Sequence, residues 1–357
     1  MNIDFHYGIV YAVARLGGLS ASDALTVAHA CQYVDDSTTP GLLDFSGGET
    51  FERFPTAHSL FDYHNAFNQG NRLTWVPFHF LPAGEGQSLE ERAICRPNSK
   101  VAKAVVKRAI KHRSADNGLH RLGVTLHTYV DTWAHQGFSG IKSDVNRVSH
   151  LEAEDCTPHQ WRELLTQATE HLEDTVKSDV LSRAIPLGHG AALHYPDQPW
   201  ADWSYINGLG VPVKRVNLPD FVAAADMACR AVQGYVAGDT NFEAKVGLSP
   251  EQRQAIETLF STNRDVDEQA RLAVICSAIE LGKIPGLKET LPPYVAKGPG
   301  SWKHLATGIE AADDGHTRPS WSPAFEQSHY RKFHDATKEH RFVVTQEVLP
   351  AMNLRIT

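Results

Sequence analysis

Three side chains of the types that bind metal ions recur at four-residue intervals between positions 127 and 135. On a helix, His127, Asp131 and His135 share one face, because each step of four residues turns the helix by only about 40°. They span about 12 Å of the helix axis, which is too long for one ion. Two ions with the carboxylate of Asp131 between them fit better, since imidazoles suit zinc and a carboxylate can bridge.

A polar stripe on a solvent-exposed helix is the alternative interpretation of this spacing. Apolar residues, however, surround the segment on nearly all sides, which is typical of a buried helix. A buried column of histidine and aspartate needs partners, because unpaired charge in an apolar interior is costly. A metal ion is the simplest partner, and His120 falls on the same face.

Helix signals recur along the chain, among them capping boxes at Ser88/Glu91 and at residues 249–252. We therefore expect an all-α fold, a metallohydrolase-like bundle of many helices with long irregular loops, formed by residues 1–357 as one domain. The metal-site helices are expected in 1–154 and a C-terminal helix in 324–357. Residues 185–205 are predicted to form an aromatic loop and residues 285–323 a long irregular loop. The segment around His79, bracketed by two prolines, is predicted to be extended.

The order of the candidate ligands resembles that of the zinc-dependent phospholipases C and single-strand-specific zinc nucleases, which are all-α enzymes with three zinc ions. The matching residues in this chain are His6, Asp35 or Asp36, His58, His127 with Asp131, His135, and His150 with Glu154. The N-terminal M-N-I-D-F-H-Y-G also resembles an uncharacterised bacterial family. The gap from Asp131 to the next histidine is three residues here and five in that superfamily. No signal-cleavage site is apparent near the N-terminus, whereas the superfamily exposes an N-terminal ligand by such cleavage.

The resemblance implies that these matching residues are metal ligands for two or three zinc ions, and His79 is a further candidate. Asp131 is predicted to bridge the ions, and Asp35 or Asp36 to act as a ligand or as the base that orients water. His189, Asp197 and Trp203, in the aromatic loop, are candidates for contacts with the substrate. The predicted reaction is metal-dependent hydrolysis of a phosphate ester, with a small phospho-ester or a phospholipid as substrate.

Charge and cysteine content limit the class of protein. The formal net charge of −8 and the absence of a basic run make duplex nucleic acid an unexpected partner. Five scattered cysteines without a C-x-x-C spacing predict free thiols. With no apolar run long enough to span a membrane, we expect a cytoplasmic protein. The oligomeric state stays open.

Two alternatives to a phosphate-ester hydrolase use the same residues. His/Asp clusters on helical bundles also resemble HD-type phosphohydrolases and di-iron oxygenases, but this chain has no adjacent His-Asp pair and no Glu-x-x-His repeats in suitable places. The other alternative is a non-catalytic helical binding or scaffold protein with a structural metal or polar column.

Overall fold

The computed structural model describes residues 1–57, 72–157, 160, 189–312 and 317–356. Helices make up most of this part of the chain. In chain order they are α1 (Asp4–Ile9, a π-helical segment, continued by Val10–Leu16), α2 (Ala21–Asp36), α3 (Arg72–Phe78), α4 (Leu89–Ala93), α5 (Lys100–Lys111), α6 (Gly118–Ala134), α7 (Asn217–Ala237), α8 (Pro250–Thr262), α9 (Glu268–Glu280), α10 (Trp302–Thr307), α11 (Pro323–Glu326) and α12 (His329–Phe342, continued by Val343–Val348 and Leu349–Ala351).

The expectation of an all-α fold is wrong, because the described residues also form two small antiparallel sheets. One sheet is a hairpin of β1 (Gly41–Asp44) and β2 (Thr50–Arg53), and the other has the order β3 (Val148–Ala153), β4 (Asp202–Asn207) and β5 (Pro212–Val216). The fold is therefore mixed, although it is mostly helical. Alternation of buried and half-buried side chains along β4 is the period-two signal that distinguishes a strand from a loop.

Helix α6 lies at the centre of the bundle and packs against α2, α5, α7 and α12. All but one of its residues are buried, as its apolar circumference predicts. Gly123 allows the closest approach to α2: an added Cβ would collide with the carbonyl of Val27 and would stand 2.6 Å from the Cβ of Ala30. The absence of this side chain lets the two helices pack closely about one helical turn before His127.

The segment before His79 was predicted to be extended, but it forms α3, with Pro77 inside the helix. Tertiary contacts override the local signal here, because the carbonyl of Pro77 accepts hydrogen bonds from Thr128 on α6 (3.2 Å) and from His340 on α12 (2.9 Å). This anchoring places the end of α3, and with it His79, beside α6. None of the helices in the described ranges is long and apolar enough to cross a lipid bilayer.

Candidate metal centre

Asp131 on α6 is the centre of a buried cluster of polar groups. Its Oδ1 atom lies 2.8 Å from the α-amino nitrogen of Met1 and 3.2 Å from Nε2 of His6. Its Oδ2 atom lies 3.3 Å from Nε2 of His127, 3.5 Å from Nδ1 of His79 and 3.6 Å from Nδ1 of His135. The carboxylate is 1% exposed, so protein groups rather than bulk water must balance its charge.

A first subsite is formed by Asp35, His79 and His127 on one side of Asp131. Oδ1 of Asp35 lies 3.6 Å from Nε2 of His127 and 3.8 Å from Nδ1 of His79. The two imidazole nitrogens are 3.2 Å apart. Three elements contribute these side chains: the C-terminal end of α2, the residue after α3, and the middle of α6.

The hydrogen bonds of the two histidines identify their tautomers. His127 donates from Nδ1 to the carbonyl of Cys31 (2.9 Å), and His79 donates from Nε2 to the carbonyl of Thr56 (2.8 Å). In a neutral ring the other nitrogen then carries a lone pair, and these are the two nitrogens that face each other. Two lone pairs therefore face the oxygens of Asp35 and Asp131 with no imidazole N–H between them, which is an arrangement for binding a cation.

The separations within the first subsite match the size of a zinc coordination shell. For Zn–N bonds of about 2.0–2.1 Å in a tetrahedron, neighbouring ligand atoms stand about 3.3 Å apart. The nitrogens of His79 and His127 lie between 3.2 and 3.8 Å from each other and from the oxygens of Asp35 and Asp131. This donor set of two nitrogens and two oxygens is suited to zinc.

A second subsite is formed by His135, His189 and Asp197. His135, which follows the last residue of α6, donates from Nδ1 to the carbonyl of His79 (2.8 Å), and its Nε2 lies 3.3 Å from Oδ1 of Asp197. Nε2 of His189 lies 3.3 Å from Oδ2 of the same carboxylate. The backbone of His79 thus orients a ligand of the second subsite, while its side chain belongs to the first.

A third subsite lies at the start of the chain and consists of the α-amino group of Met1 and the ring of His6. The amine is buried and lies within 3.0 Å of both Asp131 and Asp197. Burial opposes its charge, but Asp131, Asp197 and Asp35 together raise its pKa to about 11. Without a metal ion, the ammonium group is thus a positive charge held among three carboxylates.

Three histidines of the cluster, His6, His127 and His189, are in the neutral form that binds metals. Burial lowers the pKa of His6 and of His189 to about 4, and burial with the adjacent His6 lowers the pKa of His127 well below its ordinary value. At neutral pH these rings present lone pairs, as ligation requires. His6 Nε2 and Asp131 Oδ2 are buried and make no hydrogen bond within the described ranges, so both atoms are available to an ion.

The pKa values of the three carboxyl groups shift in different directions within the cluster. Burial opposes ionisation of Asp131, but the Met1 ammonium and the surrounding histidines lower its pKa well below the ordinary value. Burial also opposes ionisation of Asp197, and the same ammonium lowers its pKa. Burial and the repulsion of Asp131 raise the pKa of Asp35 well above the ordinary value. A divalent ion beside Asp35 would favour its ionised form and lower its pKa.

The cluster has one side that solvent reaches. The side chain of Asp35 is 33% exposed, that of His189 19% and that of Asp197 13%, whereas His6 and His127 are fully buried. Asp35 from the first subsite and His189 and Asp197 from the second therefore form the accessible edge. A ligand approaching from solvent meets these three residues first.

Of the two candidate aspartates at the end of α2, the structure brings Asp35 to the cluster. Asp36 points elsewhere: its Oδ2 accepts hydrogen bonds from the hydroxyl of Tyr294 (2.7 Å) and the amide of Gln32 (3.1 Å). Asp36 is therefore withdrawn from the catalytic and ligand roles considered for it.

The predicted ligand pair His150 and Glu154 is not brought to the cluster. His150 is exposed on β3, and Glu154, with 82% of its side chain exposed, pairs with Arg264 at 3.3 Å. A strand replaces the helix on which the x3 gap would have aligned the two residues. His58, another predicted ligand, lies outside the described residues.

The three residues predicted to contact the substrate have different places. His189 and Asp197 face His135 as ligand-type groups in the second subsite. Trp203 is 1% exposed and donates its indole N–H to Oδ1 of Asn217 (3.2 Å), so it is a core residue and has no surface for a substrate.

Sequence reasoning did not assign the amine of Met1 as a ligand, because the N-terminal ligand of the resembling superfamily is exposed by a cleavage for which this sequence has no signal. His6 at the start of α1 was the available signal, since a ligand so near position 1 brings the start of the chain to the site.

The fold and the cluster together define a mostly helical protein with three adjoining ligand groups around one carboxylate. The chain belongs to the family of unknown function DUF6765, whose model matches residues 1–348. No curated protein and no solved structure matches the chain.

Proposed function

We propose that this protein is a zinc-dependent hydrolase of phosphate esters that binds two or three zinc ions around Asp131. The observation that carries the proposal is the convergence of lone pairs from His79 and His127 on the oxygens of Asp35 and Asp131, with no imidazole N–H between them. A purely structural polar column would instead pair donors with acceptors.

The charge of the loaded site supports an anionic substrate. Three carboxylates and neutral histidines leave a net charge of about +1 with two divalent ions and about +3 with three, if the Met1 amine is neutral when it binds. A phosphate ester supplies the compensating negative charge. The order of the ligands along the chain, which resembles that of the zinc phospholipases C and nucleases, supports the same substrate class.

Zinc ions held here would polarise the phosphoryl group, lower the pKa of a water molecule and stabilise the leaving oxygen. The protein's own residues hold this arrangement in place. Asp131 is shared between subsites, so it fixes their relative position. The carbonyls of Cys31, Thr56 and His79 lock the rings of three histidines, as outer hydrogen bonds to metal ligands do.

Asp35 is suited to two tasks at the open edge: holding an ion with one oxygen and orienting water with the other. Its exposure distinguishes the site from a closed structural zinc centre, which is fully ligated by protein. This favours a catalytic role over the alternative of a scaffold protein with a structural metal. A small phospho-ester or a phospholipid headgroup fits the charge of the loaded site equally well. The five free cysteines support a cytoplasmic location as part of this proposal.

The proposed function is tested by a hydrolysis screen on zinc-loaded protein. We would use p-nitrophenyl phosphate, bis-p-nitrophenyl phosphate and p-nitrophenylphosphorylcholine as monoester, diester and phospholipase C probes, with a carboxylic ester as control. We expect hydrolysis of at least one phosphate ester, loss of this activity on chelation and its return with zinc. Zinc-loaded protein that hydrolyses none of the three, or that cleaves only the carboxylic ester, would contradict the proposal.

Adding one residue before Met1 should remove about one equivalent of zinc. An acylated nitrogen is a poor ligand, and acylation removes the positive charge of an amine that is buried between Asp131 and Asp197. We would compare protein with a free Met1 amine and protein with one preceding glycine, confirm both N-termini by intact mass, and measure zinc by plasma mass spectrometry. Equal zinc content in the two proteins would exclude the amine as a ligand.

A further inference from the structure

A cavity of about 700 Å³ lies beside the turn that follows α6. Gln136 and Gly137 form part of its wall, together with the start of α5 and residues of β4 and β5. None of the lining residues belongs to the three subsites of the metal centre. The volume is within the range of small-molecule sites, about 300–1,000 Å³.

The charge lining this cavity is mostly positive. Arg96, Lys100 and Lys103 contribute to the wall, and Glu85 is the acidic residue there. Lys103 pairs with Glu243 at 2.9 Å. Lys100 and Arg96 form no ion pair with any described residue; Arg96 donates instead to two backbone carbonyls. Two cations are therefore available to an anion in the cavity.

The N-terminus of α5 opens on the same cavity, which Asn98, Ser99 and Lys100 line. The hydroxyl of Ser99 caps the backbone N–H of Ala102 at 3.1 Å. The other N–H groups of the first turn have no acceptor within the helix. The partial positive charge of this helix end adds to that of the two side chains and favours an anionic group such as phosphate.

The hydroxyl of a buried tyrosine provides an independent indication of a ligand. Tyr205 is only 2% exposed, and its ring stacks between Phe138 and Trp203 at centroid distances of 5.7 and 5.1 Å. Its hydroxyl makes no hydrogen bond with any residue that the structure describes. The oxygen lies beside Gly137 at the cavity wall, where an added Cβ would come within 3.3 Å of it. The hydroxyl therefore lies at the cavity wall without a protein acceptor among the described residues, and an acceptor atom of a bound ligand would be its partner.

We propose that this cavity is a second ligand site that binds a small organic phosphate. The phosphate would lie between Arg96, Lys100 and the N-terminus of α5. Its uncharged part would contact the apolar wall formed in part by Val145 and Val213 and would accept a hydrogen bond from the Tyr205 hydroxyl. The site does not depend on the proposed hydrolase activity.

Calorimetric titration with glucose 6-phosphate tests this site, with glucose and inorganic phosphate as comparison probes. Chelator-treated protein is used beside zinc-loaded protein, so that binding at the metal centre is recognised separately. We expect glucose 6-phosphate to bind the chelated protein and to bind more tightly than either comparison probe. Lys100→Glu should weaken binding at least about tenfold and Tyr205→Phe about three- to tenfold.

Lys111→Glu is the matched control, because it makes the same charge change at the opposite end of the same helix. It should leave the affinity within about twofold. The proposal would be overturned by absence of binding to chelated protein, by equal affinity for inorganic phosphate, or by equal effects of Lys100→Glu and Lys111→Glu. Binding that requires zinc and has the same affinity in Lys100→Glu would place the ligand at the metal centre. That result would reject this site but not the hydrolase.

Discussion

Asp131→Asn should lose most of the bound zinc and reduce kcat/KM for the best phosphate ester by at least about a thousandfold, equivalent to about 4 kcal/mol of transition-state stabilisation. Both oxygens of Asp131 face ligand groups, with the Met1 amine and His6 on one side and His79, His127 and His135 on the other. The amide has nearly the same shape but no charge, and only one of its two polar atoms can bind a cation. Zinc is measured by plasma mass spectrometry and activity by initial rates.

Two controls separate loss of the centre from loss of the fold. His150→Ala and Glu154→Ala change residues of ligand type that are exposed on or after β3, and both should retain wild-type zinc and activity. Near-ultraviolet circular dichroism of Asp131→Asn should retain the wild-type aromatic signal. If folded Asp131→Asn keeps its zinc, Asp131 is not the shared ligand.

Asp35→Asn should lose about one equivalent of zinc and at least about a hundredfold in kcat/KM, whereas Asp36→Asn should stay within about threefold of wild type. These adjacent residues make a matched pair at the end of α2. Asp35 faces His79 and His127, while Asp36 accepts hydrogen bonds from Tyr294 and Gln32. Asp36→Asn should therefore affect stability, by about 1 kcal/mol, rather than activity.

The comparison uses the same zinc assay, kinetic assay and thermal unfolding for both variants. Exposed at the edge of the cluster, Asp35 is not needed to fill the core, so its replacement should leave the unfolding temperature of the chelated protein unchanged or slightly higher. Equal effects of the two substitutions on zinc, or a larger effect of Asp36→Asn, would show that the first subsite is wrongly assigned.

The shared orientation of the ligand side chains on α6 could be predicted from the sequence, because it depends only on local helix geometry. A four-residue repeat fixes the shared face of His127, Asp131 and His135, and an apolar surrounding fixes burial of the helix. The choice between Asp35 and Asp36 could not be predicted in this way. Near the end of a helix, one residue changes the direction of a side chain by about 100°, so only the packing of α2 against α6 decides it.

The pairing of His189 and Asp197 with His135 in the second subsite could not be predicted from the sequence for a different reason. His189 and Asp197 lie more than fifty residues after His135. His189 precedes one short 3-10 turn and Asp197 ends another, and such turns carry no strong periodic signal. The x3 gap of His150 and Glu154 matched the expected ligand pattern better. That gap has meaning only on a helix, and these residues lie on or just after a strand.

The sheets were missed because their sequence signals are short. Asn207 at the end of β4 and the following Gly208 are a hairpin signal, but the aromatic content of residues 185–205 suggested a loop. β3 pairs with β4 across more than forty intervening residues, a contact that no local pattern predicts.

The most direct test of the central claim is a zinc-edge anomalous diffraction map of protein purified without chelators and supplied with zinc, with the zinc content measured on the same sample. The account predicts two or three peaks around Asp131, each within bonding distance of the ligand atoms of one subsite. Absence of anomalous density at Asp131 in zinc-supplied protein would contradict it, and the cluster would then be a structural polar column.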